Sequence, residues 1–336
     1  MSTKTDGPKG KAIWKRVLQV LVIAVLVILG IALVVALVPV SIDGFETEPS
    51  PAEGYTESLR RFEALGDGEK AIVNEASSSQ LMVHGDQTGQ VYVLVHGTTN
   101  SPRQWVELGE MLYERGHNVL ILRMPYHGLQ SHRVSELGRT KAEDLRAYAD
   151  QAIDLAAGLG EEVDVIGISG GGVVAGWMAQ NRPEVERAVL LSPFLGIAHT
   201  PFTVDTLLMN LFTRAPNVVL DNPAEPRREW VYRGESTRGV AEFIRFGRAV
   251  LKQAKSSSPE ARELSVLTTA HDSTADNRAA GRLVKGWVES GTDVSTYQFD
   301  TSLEIPHNSI DPAADPEKKA IVYAKILELL GEGLRQ

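Results

Sequence analysis

Ser169 stands in Gly167-Ile168-Ser169-Gly170-Gly171, a G-x-S-x-G pattern. Val163, Val165 and Ile166 before it read as a short buried strand, and Val173 to Gln180 after it as a helix. A serine at a sharp strand-to-helix turn has its hydroxyl thrust out of the backbone, as a nucleophile requires. Glycines on either side remove Cβ atoms that such a turn would meet. The helix begins at the serine, so its free N–H groups and positive dipole end lie near any negative charge that develops there. A hydroxyl is a weak nucleophile and needs a base, which in turn needs an orienting acid. Asp272 follows the strand-like run Leu264 to Thr269, and His307 follows Val294 to Phe299. Serine, acid and histidine in that chain order form one of the known triad arrangements. A tetrahedral oxyanion also needs two backbone donors. Gly170 offers one N–H, and Thr98 in His96-Gly97-Thr98 is the expected second.

The main assignments have rivals. Gly170 to Ala175 fits G-x-G-x-x-A, a dinucleotide fingerprint, which should be followed about 20 residues on by an acid. Leu190 to Pro193 occupies that place and is uncharged. Asp276, one helical turn beyond Asp272, is an alternative acid. His271, His96, His127 and His199 also fall in loops. His307 is preferred because it combines the last-strand position with a turn directly before the final helix. The pattern implies neither a metal nor an organic cofactor.

Strands must carry these residues to one edge. Val91 to Val95 reads as a strand buried on both faces, and Val119 to Arg123 as the next. Ser101 and Pro102 open a helix that runs to Arg115. Thr140-Lys-Ala-Glu143 reads as a capping box for a helix to about Leu159, ended by Gly160. Ala188 to Ser192 is a further strand, and helices at about Thr274 to Glu289 and Pro316 to Leu330 complete the alternation. Strands alternating with helices indicate an α/β fold, a mostly parallel sheet with helices on both faces. Between Phe194 and Arg262 the rhythm breaks. Phe202 to Phe212 and Gly239 to Ala254 read as amphipathic helices with no strand-like run between them. That stretch, about 197–262, is expected to lie as a cap over the strand ends.

Together these residues resemble the α/β-hydrolase superfamily, in particular its carboxylesterase, monoacylglycerol lipase and serine aminopeptidase-like group. The resemblance is carried by Val93-Leu-Val-His96-Gly97-Thr98, Pro125-Tyr-His127-Gly128, Gly167-Ile-Ser169-Gly-Gly171, Asp272 and Pro306-His307-Asn308, and covers about Gln90 to the C-terminus. It implies a helical cap after the sixth strand and hydrolysis through an acyl-enzyme. Three departures stand out. Pro306 replaces the usual glycine before the histidine, and Thr269-Ala270-His271 replaces a glycine-rich turn before the acid. The strands that normally precede Val91 to Val95 are poorly represented, so the sheet is expected to lack a full first hairpin. The expected reaction is hydrolysis of a small or medium acyl ester, given Phe194, Phe202, Leu207, Leu208, Phe212 and Phe243 in the cap segment. Amide or peptide hydrolysis by the same residues is the alternative within enzymes. A non-catalytic ligand-binding module is the alternative outside them.

The 336 residues are 43% hydrophobic, carry a net charge of −9 and include no cysteine. The length suffices for one large α/β domain. The acidic balance argues against a nucleic-acid partner, and the absence of cysteine rules out disulfide or thiolate chemistry and a lipoprotein anchor. Val17 to Val38 is almost wholly Val, Leu, Ile and Ala, and a bilayer takes about 20 such residues as a helix. Lys9, Lys11, Lys15 and Arg16 precede it, and Asp43, Glu46, Glu48 and Glu53 follow. The positive-inside rule then puts a short tail, 1–16, in the cytoplasm and the main domain outside. A cleaved signal peptide is the rival, but its apolar core would be unusually long and no A-x-A-like site follows. Residues 39–79, rich in Glu, Pro, Gly and Ser, read as a tether with one short helix at Tyr55 to Leu65. Residues 80–336 remain for the hydrolase-like domain.

Overall fold

Val91 to Val95 lack a charged member because the strand they form is covered on both faces, and all five are buried. They end β2 (Thr88–Val95), which lies inside a seven-stranded sheet. The computed structural model describes residues 8–223 and 226–333, with the backbone alone for 8–12. The first seven residues of the basic tail lie outside the described residues. The other strands of the sheet are β1 (Gln80–Met82), β3 (Asn118–Ile121), β4 (Gly160–Ile168), β5 (Val185–Leu191), β8 (Glu263–Thr269) and β9 (Val294–Phe299). Their order is β1-β3-β2-β4-β5-β8-β9. Only the β1–β3 pairing is antiparallel, so a single strand stands where a full hairpin would.

Leu108 and Leu112 of α3 (Val106–Tyr113) and Val322 and Ile326 of α10 (Pro316–Leu329) pack on one face of the sheet. The other face carries α5 (Ala142–Ala156), α6 (Gly170–Asn181) and α9 (Asn277–Glu289), with α8 (Thr237–Ser256) against them. The short α4 (Val134–Leu137) precedes α5. Two local signals shift. The box that opens α5 joins Lys141 and Asp144 rather than Thr140 and Glu143: Asp144 Oδ2 accepts from the Lys141 N–H at 3.0 Å. Glu143 is drawn instead to Arg245. Gly160 does not stop a helix but begins β4, where a Cβ would meet the backbone of Val91 on the neighbouring strand.

Between β5 and β8 the chain leaves the sheet. It forms α7 (Phe202–Phe212), a small antiparallel hairpin of β6 (Val219–Asp221) and β7 (Gly234–Ser236), and then α8. The two strands were not expected, because three residues each are too few to show a period in the sequence.

The stretch read as a tether departs further from expectation. Phe45 is buried in the main core, and its carbonyl accepts from Trp177 Nε1 at 2.9 Å. The backbone N–H groups of Glu48 and Ser50 donate to Asp150 and Asp154 of α5, both at 3.0 Å. Residues 41–53 therefore run along the domain without regular secondary structure, because their donors find buried carboxylates and their aromatic side chain finds the core. Helix α2 (Tyr55–Glu69) follows, where the short helix was expected.

Helix α1 (Pro8–Leu37) includes the apolar span Ile13–Leu37, long and apolar enough to cross a membrane. Its side chains are exposed along most of its length. Its C-terminal end is not free. Asn210 of α7 donates to the Ala36 carbonyl at 2.9 Å and accepts from the Val40 N–H at 3.0 Å. Arg214 donates to the carbonyls of Val38 at 2.6 Å and Pro39 at 2.8 Å. Carbonyls left over at a helix end need such donors, and a segment of the cap supplies them.

Candidate active site

Ser169 joins β4 to α6 with φ 57° and ψ −120°, a conformation that costs a non-glycine residue free energy and persists only when its surroundings fix it. Here they do. The Ser169 N–H donates to Leu191 at the end of β5 at 3.0 Å, and its carbonyl accepts from Phe194 at 2.9 Å. The flanking glycines are required by close approach. A Cβ at Gly167 would overlap the Gly171 carbonyl, and one at Gly171 would overlap the Val95 and His96 carbonyls. Gly97 differs: a Cβ there would meet ordinary contacts, and its φ is not positive.

His307 stands between Ser169 and Asp272. Its Nε2 lies 2.9 Å from Ser169 Oγ and its Nδ1 lies 2.8 Å from Asp272 Oδ2. Asp272 Oδ1 accepts from the backbone N–H groups of Thr274 and Ala275, each at 2.8 Å. Burial pushes the Asp272 carboxyl up, but the His307 hydrogen bond and charge and the two backbone donors outweigh it and hold it below the usual range. An ionised Asp272 can only accept, so the His307 proton sits on Nδ1. Nε2 is then a bare acceptor aimed at the serine hydroxyl. Asp276, the alternative acid, is used elsewhere. It caps α9, accepting from Arg278 N at 3.1 Å and Arg278 Nε at 2.8 Å. His271 and His199 are exposed on the surface.

Thr98 and Gly170 approach closely: a Cβ on Gly170 would lie 2.5 Å from Thr98 Cγ2. Among the described residues, neither backbone N–H has a protein acceptor. Buried side chains fix the Thr98 loop. Gln104 Oε1 accepts from the Gly97 N–H at 2.8 Å, and His127 Nε2 lies 2.8 Å from the Thr98 carbonyl. His96 Nε2 accepts from the Met124 N–H at 3.0 Å, so its Nδ1 carries the proton and donates to the Gly97 carbonyl at 2.9 Å. Burial depresses both histidines, His127 to about 4. The loop histidines considered as rival bases are thus spent on bracing, His127 with its Nδ1 also 2.8 Å from the Pro125 carbonyl. The sequence signals for this were His96-Gly97 and Pro125-Tyr-His127-Gly128; Gln104 carried none.

A cleft of about 200 Å³ opens over Ser169 and His307, and the β6–β7 hairpin forms part of its wall through Leu220 and Glu235. Behind it, a cavity of about 290 Å³ lies between α7 and α8, lined by apolar residues that include Leu208, Phe212 and Ile244. Leu220 borders both. Of the other cap aromatics, Phe202 has the guanidinium groups of Arg248 and Arg282 over its ring, and Phe243 packs on His127. Among the described residues no group of three or more His, Asp or Glu side chains is placed to hold a metal ion.

A model of the alpha/beta hydrolase family matches residues 92–305. Among solved structures, the monoacylglycerol lipase of Paleococcus ferrophilus is 22% identical, with a TM-score of 0.58 over 76% of this chain and 98% of its own. A soluble variant of the Saccharomyces cerevisiae monoglyceride lipase, in complex with a substrate analogue, is 14% identical, with a TM-score of 0.56 over 77% and 92%. A metagenome-derived lipolytic enzyme from work on LipS and LipT is 16% identical, with a TM-score of 0.59 over 77% and 99%. At these identities the likeness is one of fold. No curated protein matches the sequence.

Proposed function

Since the chain belongs to the alpha/beta hydrolase family, we propose that it is a membrane-anchored serine hydrolase that cleaves carboxylic esters. The observation that carries this reading is the continuous relay Ser169 Oγ, His307 Nε2, His307 Nδ1, Asp272 Oδ2. Ser169 Oγ attacks the ester carbonyl carbon while His307 Nε2 takes its proton. The N–H groups of Thr98 and Gly170 hold the oxyanion, an arrangement worth several kcal/mol in a site closed to water. Collapse expels the alkoxide, which leaves as the alcohol with the proton from His307, and the acyl group stays on Ser169. Water, deprotonated by His307, then repeats the attack and releases the acid. Asp272 keeps the Nδ1 proton in place and stabilises the imidazolium. The apolar cavity behind Leu220 is suited to an acyl chain.

Helix α1 is the proposed anchor, with the basic tail in the cytoplasm and the domain outside. The hydrogen bonds from Asn210 and Arg214 support its retention, since removal would strip both of their backbone partners. A fluorophosphonate probe tests the chemistry: the full chain should be labelled on Ser169, and folded Ser169→Ala should not. Undiminished labelling of that variant refutes the nucleophile. A panel of acyl esters and aminoacyl amides then separates esterase from amidase. Protease applied to intact cells should digest the domain, with the mature N-terminus retaining α1. A mature chain beginning near Ser41 would refute the anchor.

A further inference from the structure

The reaction above gives no task to Glu235, the carboxylate among the described residues that line the cleft. Glu235 lies on β7 directly opposite Leu220 on β6. Directly opposed residues project from the same face of a two-stranded ribbon, and both line the cleft with Ser169 and His307. Leu220 also borders the apolar cavity, so one register pair divides the space into an apolar compartment and a polar one. Among the described residues no hydrogen bond or ion pair reaches the Glu235 carboxyl. Glu235 is half-buried, and the protein packed around it pushes its carboxyl up to about 7. The residues that share the polar compartment, such as Thr98, Asn100, Thr274 and Asn308, are uncharged, and His307 is engaged by Asp272. A carboxylate partly withdrawn from water and left without a partner gains a charge-assisted hydrogen bond from a cation that arrives with a ligand.

We propose that Glu235 makes the polar cleft a subsite for an ammonium group, so that the preferred substrates join an acyl chain to a short amino alcohol. The assignment of acyl chain and alcohol rests on the hydrolase reading; the ammonium subsite does not. The acyl chain occupies the cavity behind Leu220, and the ammonium group of the alcohol meets Glu235 above Ser169. The volume of the cleft limits the alcohol to a short aminoalkyl group.

The test uses the full chain in detergent micelles at about pH 8, where Glu235 is ionised and a tertiary amine is still protonated. Dimethylaminoethyl octanoate is compared with isopentyl octanoate, its uncharged carbon isostere. The wild type should favour the cationic ester by about tenfold or more in kcat/KM. Glu235→Gln should reduce that ratio to about twofold or less, and Glu235→Asp should keep more of it than Gln does. Equal rates in the wild type, or a preference that survives Glu235→Gln, overturn the proposal. Calorimetric titration of butyldimethylammonium gives an arm independent of catalysis: Ser169→Ala should bind it, and Ser169→Ala with Glu235→Gln should not. Cation binding without turnover of any ester refutes the hydrolase reading and upholds the subsite. Ester turnover without cation binding does the reverse.

Discussion

Exchanging Asp272 for asparagine replaces one oxygen by an NH₂ group and should nearly silence the site. Asp272 Oδ1 faces two backbone donors, Thr274 and Ala275, each at 2.8 Å. The new carboxamide must turn its oxygen to them, because an NH₂ there would set donors against donors. Its nitrogen then faces His307 Nδ1, which lies 2.8 Å from Asp272 Oδ2. Nδ1 becomes an acceptor, the ring proton moves to Nε2, and Nε2–H points at Ser169 Oγ. The base is lost with the geometry intact. An exchange of this kind lowers kcat by about 10⁴, equivalent to about 5 kcal/mol of transition-state stabilisation. Asp276→Asn is the control. Asparagine caps a helix as well as aspartate, and the pair with Arg278, whose side chain is 60% exposed, is worth less than about 1 kcal/mol. Its kcat should stay within about twofold of the parent. The assay is turnover of a p-nitrophenyl ester, alongside fluorophosphonate labelling and a melting curve to show that each variant folds. Activity of Asp272→Asn within about tenfold of the parent, or an equal loss in Asp276→Asn, refutes the reasoning.

Gly171→Ala would drive a Cβ into the Val95 and His96 carbonyls and should destabilise the fold by about 3 kcal/mol or more, read as a fall in melting temperature; an unchanged value would contradict the packing of the turn. His127 should make the fold sensitive to acid. Its folded pKa is depressed from 6.5 to about 4, so the neutral ring contributes fully above 6.5 and that stability is lost as pH falls towards 4, on the order of 3 kcal/mol in all. Urea unfolding across that window should show a shallower pH slope in His127→Asn, and an identical slope would contradict the assignment. Asn210→Leu removes both hydrogen bonds to the end of α1 and should cost about 1–3 kcal/mol. It should also speed proteolysis between Pro39 and Phe45, and unchanged cleavage would mean that α7 does not hold the end of α1.

Composition alone announced α1, because a long unbroken run of Val, Leu, Ile and Ala is legible without any partner and meets the length that a bilayer demands. The sheet was legible for a similar reason. Strands buried on both faces must be nearly continuous Val, Ile and Leu, as Val91 to Val95 are. The G-x-S-x-G turn could be read because its glycines answer a local steric demand. Ser169, Asp272 and His307 could be picked out because each follows a strand, and parallel strands bring such ends to one edge. What the sequence by itself determined were properties of a residue and its near neighbours. Tertiary structure decided which group each side chain met. Asp272 and Asp276 are four residues apart and chemically identical; the start of α9 gives one to His307 and makes the other a cap. Gln104 braces the Thr98 loop through a contact that no local pattern records. Phe45 leaves an apparent tether for the core because Trp177, 132 residues away, receives it. Glu235 stands in the cleft through a hairpin too short to show a period. Hydrophobic periodicity encodes which face is buried, but the partner of a polar atom depends on elements far apart in the chain, so only the assembled fold selects it.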